Sequence, residues 1–183
     1  MNKTIKPIIT APHPSLRKKS RQISQVNSSI KKLAEAMKTA TLAWEDSREH
    51  EIGVALAAVQ INELCRLIIV RNNYEDKSDR RFNVYINPEI IKSEGKTTLE
   101  MEGCLSVKNL YGKVARYPRI KVKALDLRGR SIFLNLEGFL ARIFQHEIDH
   151  TNGIIFTDYI NNPDELYQLG SDGRLIIPEK NHE

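Results

Sequence analysis

Two cysteines are all that the 183 residues contain, and they stand in unlike surroundings: Cys65 inside the apolar run Leu64 to Val70, Cys104 after Glu102-Gly103. That number does not make the disulfide framework of a secreted domain of this size, so each cysteine is judged alone. Nowhere does the chain approach the roughly 20 consecutive apolar residues of a membrane span, and Met1 to Thr10 carries Lys3 and Lys6 but no sustained apolar stretch. The expectation is a cytoplasmic protein with no membrane partner. There is no internal repeat and no low-complexity segment. Charge of one sign does not collect anywhere either: the net charge of +5 would suit a ribosome or a nucleic acid, but lysines and arginines are scattered among acids, as on a solvated surface, and no direct DNA binding is expected. With 40% hydrophobic and 28% charged residues, one domain over residues 1–183 accounts for the chain.

Pro7 to Thr10 reads as a short extended piece, and the prolines of Ala11-Pro12-His13-Pro14 bar helix at the residues before them. Asn27-Ser28-Ser29 offers N-caps for a helix from about Ile30 to Glu45, with Ile30, Leu33, Met37, Ala40 or Thr41, and Trp44 on its core-facing stripe. Leu64 to Val70 reads as a buried strand, Arg71 to Arg81 as a charged loop, and Phe82 to Ile86 as a strand that Asn87-Pro88 breaks before Glu89 to Glu94. Ile120 to Leu125 and Ser131 to Leu136 alternate with period two about a turn at Asp126 to Gly129, a hairpin with one buried face. A second helix spans about Gly138 to His150, stopped by Asn152-Gly153; its apolar residues spread round the helix, leaving Arg142, Gln145 and Asp149 as a polar stripe. Asp164 to Leu169 reads as one or two helical turns, and Leu175 to Ile177 as extended. This order of elements indicates an α+β fold, mainly antiparallel strands packed around a central helix.

On that helix, His146 and His150 stand about 40° apart, one turn above the other, and can hold one ion. Glu147 between them lies close enough to take a proton from a water that the ion activates, which is the mechanical content of H-E-x-x-H. Two merely satisfied histidines are the alternative. A hydrolytic site wants three protein ligands and an open position. Downstream, Asp158, Asp164, Glu165 and His182 do not have the spacing of metalloproteases. Upstream, Cys104 lies in Glu102-Gly103-Cys104-Leu105-Ser106, where a cation would stabilise its thiolate and Gly103 allows close backbone approach. Alone it would read as a small buried hydrophobe; with the histidine pair it reads as the third ligand.

Three blocks, Gly53 to Gln60, Glu102 to Ser106 and Gln145 to His150, resemble in order and spacing the signature motifs of the peptide deformylases. Pro14 to Arg17, Ile86 to Pro88 and Asn152 to Phe156 are similar as well, so the resemblance covers roughly residues 5 to 160. It implies Cys104, His146 and His150 as ligands of one divalent metal, natively Fe2+ with Zn2+, Ni2+ or Co2+ as substitutes, and Glu147 as general base and acid. It further implies Gln60 and the Leu105 N–H as oxyanion donors, and removal of the N-formyl group from the initiator methionine of new polypeptides. Formyl-methionyl nascent peptides are then the substrates, with a possible transient ribosome contact. In the family the peptide runs as an added strand beside the first motif, which brings in Val54 and Ala55, while Arg116 and Ile143 correspond to positions around the methionine side chain. The chain departs from the pattern at Ala55, where glycine is usual and an added methyl restricts positive φ, and at Lys108, where proline is usual. These departures suggest one alternative, an amidase of the same fold with another acyl or peptide preference; a catalytically silent metal- or peptide-binding homologue is a second, against which the retained Glu147 argues.

Overall fold

A computed structural model describes residues 5–162 and 165–177. Among these residues, two α-helices and nine strands begin with α1, Ser28–Asp46, whose N-cap Asn27 accepts bonds from the N–H groups of Ser29 and Ile30 through its side chain, as its sequence position suggests. Strands β1 (Ala55–Ala57), β2 (Leu67–Arg71), β3 (Phe82–Glu94), β6 (Arg119–Leu125) and β7 (Ser131–Glu137) form one antiparallel sheet in the order β1-β2-β3-β6-β7. Strands β4 (Thr98–Cys104), β5 (Val107–Arg116), β8 (Leu166–Leu169) and β9 (Leu175–Ile176) form a second. Helix α2, Gly138–Thr151, carries His146, Glu147 and His150. The α+β class and the antiparallel pairing agree with expectation.

The apolar run of β2 is buried throughout because helices cover both faces. Leu67 and Ile69 pack with Ala34, Met37 and Ala40 of α1, while Ile68 and Val70 pack with Ala141, Phe144 and Ile148 of α2. Phe144 is fully buried, 4.8 Å between ring centroids from Tyr85 and edge-on to it. Truncating Phe144→Ala should therefore cost about 3–5 kcal/mol, read as a lowered denaturation midpoint with unchanged slope.

Four elements differ from the sequence reading. Asn87-Pro88 does not end a strand: β3 runs through it with a register shift between Ile86 and Glu89, and Asn87, at φ 51°, uses its side-chain amide to hold the N–H and C=O of Ile23, both at 2.8 Å. Leu166–Leu169 is a strand paired with β5 rather than helical turns; Asp164 lies outside the described residues, as does His182. Strands β4 and β5 went unrecognised because β4 inverts the usual pattern, exposing Leu99 and burying Glu102. Arg71 does not begin a solvated loop but ends β2 fully buried.

The polar stripe of α2 is not solvated either. Arg142 and Gln145 are buried, and they dock the helix onto the β4–β5 region: Arg142 donates to the carbonyls of Val114 (2.8 Å) and Thr98 (2.9 Å), and Gln145 exchanges bonds with the backbone of Tyr117. The apolar side of α2 thus meets one sheet and its polar side the other.

Candidate metal centre

The site forms where α2 faces β1 and the β4–β5 hairpin. Cys104 is the last residue of β4 and pairs with Val107 across the two-residue turn Leu105-Ser106. Gly103 lets the strands close, since a Cβ there would lie 2.3 Å from the Tyr111 ring. The Cys104 sulfur lies 3.2 Å from His150 Nε2, and the ligand atoms of Cys104, His146 and His150 all fall within 4.8 Å of one another. His146 donates from Nδ1 to Glu102 Oε2 at 3.0 Å, which fixes its ring and leaves the other nitrogen for an ion. Burial, together with the charges of His146 and Arg116, holds His150 well below the ordinary histidine range and so neutral, the form a metal needs. Burial opposes a charge on His146 as well, but Cys104 and Glu102 outweigh it and raise its pKa, so a cation must displace a proton there. A thiolate and two imidazoles converging beside a cavity fit one divalent ion with an open position.

That cavity holds about 380 Å³ and is lined by Gln60, Cys104, Leu105, His146 and Glu147, by Val54, Ala55 and Ile143, and by Trp44, Tyr111, Phe139 and Leu175. Glu147 is buried, its Oε2 has no partner among the described residues, and burial, reinforced by Glu102 and opposed by His146, pushes its carboxyl up to about 7. Gln60 is oriented by its neighbours: the Ala57 N–H donates to Oε1 at 2.8 Å, so the amide nitrogen must face Ser106 Oγ (3.1 Å) and Cys104 Sγ (3.6 Å). Arg71 N donates to the Val54 carbonyl, which fixes the alternation of the β1–β2 ladder and turns Gly53, Ala55 and Ala57 outward, toward the edge of the sheet that β1 forms.

The family described as polypeptide deformylase matches residues 5–165. The chain belongs to the peptide deformylase family. Among relatives that carry the name peptide deformylase, one from Symbiobacterium thermophilum is 42% identical over 168 residues, 91% of this chain and 70% of its own length. Another from Thermomicrobium roseum is 39% identical over 165 residues, 88% and 89%. The solved peptide deformylase of Legionella pneumophila superposes with a TM-score of 0.75 at 36% identity over 86% of each chain. That of Synechococcus elongatus, in complex with actinonin, gives 0.77 at 30% over 88% and 84%.

In this deformylase-family chain, every site residue expected from the sequence except Arg116 and His150 lines the cavity, and His150 stands directly behind it against Cys104. Arg116 differs from its expectation as a wall of a methionine pocket. It is buried behind the histidines, donates to both oxygens of Glu102 (2.9 and 3.1 Å), pairs with Asp149 and lies 4.6 Å from the centre of the Tyr159 ring. Ala55 is not among the residues with positive φ, so its methyl adds no backbone strain, and Lys108 is an exposed residue of β5 outside the cavity lining.

Sequence reasoning missed Ser106, Glu102 and Arg142 as parts of this deformylase-type site. Ser106 accepts from Gln60, while Glu102 is a hub of its own: though burial pushes its carboxyl up, bonds from His146 and Arg116 bring it down to about 2, so it stays ionised, and Arg142 donates to it as well at 2.8 Å. The available signal was the number of arginines and acids inside or beside the motifs. Glu102→Gln takes from Arg116 and Arg142 the carboxylate they share, leaving Arg116 with Asp149 and Arg142 with Glu100, and should destabilise by about 1–3 kcal/mol, measured by chemical denaturation.

Proposed function

We propose that this chain, as one catalytic domain over residues 1–183, hydrolyses the N-formyl amide of formyl-methionyl nascent peptides and releases formate. Membership of the peptide deformylase family supports the reaction. The observation that carries the residue roles is the convergence of Cys104, His146 and His150 beside a partnerless, buried Glu147. We read α2 as the centre around which the strands pack. Cys104, His146 and His150 would hold the metal, for which Fe2+ is our native assignment, with Zn2+, Ni2+ or Co2+ as substitutes. When bound, the ion supplies Lewis acidity, acidifying water and polarising a carbonyl.

Glu147, its carboxyl raised toward neutrality, takes the proton of the attacking water and returns it to the leaving amine. As the formyl carbon becomes tetrahedral, its oxyanion accepts from the Gln60 amide and the Leu105 N–H. The peptide lies as an added strand along β1, beside Val54 and Ala55, and the methionine side chain enters the cavity against Ile143. Action on nascent chains in the cytoplasm, with transient ribosome contact, completes the reading. Among the described residues, no helix is long and apolar enough to cross a membrane.

Anaerobically purified, iron-loaded protein should release formate from formyl-Met-Ala-Ser and leave acetyl-Met-Ala-Ser intact; a chelator should abolish turnover and added metal restore it. No formate from the loaded protein would sink the assignment. Equal turnover of both peptides would favour a broader amidase.

A further inference from the structure

Gly53 sits where the chain passes from the rim of the cavity into β1, and both of its polar backbone groups are taken by one ion pair remote from the metal ligands. Glu45 of α1 and Arg71 of β2 are bonded to each other, and neither side chain has any exposure. The Gly53 N–H donates to Glu45 Oε2 at 2.8 Å, and Arg71 Nε donates to the Gly53 carbonyl at 3.0 Å. Arg71 Nη1 also reaches the carbonyls of Lys77 (3.1 Å) and Asp79 (2.8 Å), so the guanidinium ties the loop after β2 to the same point. Glycine is required: a Cβ at this position would lie 2.5 Å from Thr41 Cγ2, and the backbone could not come close enough to α1 to meet Glu45.

Gly53, Ala55 and Ala57 form the outward row of β1. The first is bound by the ion pair and the N–H of the third by Gln60, which leaves the N–H and C=O of Ala55 as the pair turned to the free edge at the cavity. We propose that the Glu45–Arg71 pair positions β1 for peptide binding: by holding Gly53 at both ends it sets the height and angle of the Ala55 groups against which a substrate backbone pairs. The proposal rests on the reading that peptides add to this edge. It assigns Glu45 and Arg71 as positioning residues, in contact with neither substrate nor metal.

Such a pair can be replaced by apolar residues with little change in stability, because the desolvation of two charges disappears along with their attraction. The Glu45→Leu/Arg71→Met double variant should therefore stay folded while Gly53 loses its partners. In the metal-loaded full chain, amide exchange at Gly53 should speed up about tenfold, and KM for formyl-Met-Ala-Ser should rise about tenfold with kcat within about twofold. KM for formyl-methionine alone, which has no following backbone to pair, should stay put. A wild-type KM for the tripeptide in the folded variant overturns the proposal, and so does an equal rise for both substrates. If the double variant does not fold, Arg71→Lys carries the test: it keeps the charge but has no fork to span Glu45, Gly53 and the loop, and should show the same pattern at smaller size. Wild-type exchange and KM in that variant overturn the proposal too. A wild-type chain that releases no formate refutes the deformylase assignment and the substrate half of this inference with it, whereas unchanged exchange at Gly53 in an active variant refutes the clamp alone.

Discussion

Glu147→Gln should lower kcat by about 10²- to 10⁴-fold while metal content and fold stay intact. The amide fills the same space, and because Oε2 of the carboxylate has no partner among the described residues, the exchange breaks no bond at that atom. Stability should not fall, since a buried carboxyl already pushed up to about 7 is at best neutral for the fold at physiological pH. Proton transfer is what the amide cannot do. Steady-state turnover of formyl-Met-Ala-Ser, with metal analysis on the same samples, decides the matter: a variant that keeps its metal and retains turnover within about tenfold of wild type would remove Glu147 from the role assigned to it.

Gln60→Ala should cost about 10²- to 10³-fold in kcat, with a much smaller change in KM, because a donor aimed at developing charge contributes in the transition state rather than to substrate binding. It also has a structural price. The Ala57 N–H and the Ser106 hydroxyl lose their partner in a buried place, at about 1–3 kcal/mol, so turnover must be measured well below the variant's unfolding temperature. A purely structural Gln60 would instead show near-wild-type kcat in the fraction that remains folded. The two substitutions test different moments of one reaction, proton transfer and charge stabilisation, and their effects should not simply add.

The parts of this site that were legible in the sequence are those whose chemistry is local. Two histidines four residues apart on a helix state their own geometry, and a glutamate between them needs no tertiary information. Cys104 entered as the third ligand that the histidine pair calls for and Gln60 through the family resemblance, because nothing local says that the end of β4 meets α2. What stayed hidden is polar burial. Arg116, Arg142, Glu45 and Arg71 look like surface residues until their partners are known, and each is buried by a charge far along the chain: Glu102 for the first two, and one another for the last two. The same blindness hid β4, where a carboxylate faces inward and Leu99 faces out. Asn87-Pro88 misled for a different reason, since a break signal and a bulge signal are the same dipeptide until the asparagine's bonds to Ile23 are seen.

The outward row of β1 has a meaning for the molecule's solubility as well. Free strand edges are where one protein copy recruits another, and a site that binds extended peptides cannot do without such an edge. Here the edge is a strand of three residues, with Gly53 engaged by Glu45 and Arg71 on one side and Ala57 by Gln60 on the other, so the unpaired stretch is about one residue long. On the proposed reading that is enough to register a short peptide whose side chain is held in a cavity, and it is too little to template a growing stack of identical chains. Releasing the Gly53 clamp would lengthen the unpaired row and should make the protein self-associate more readily on concentration, a liability that accompanies any attempt to widen its grip on peptides.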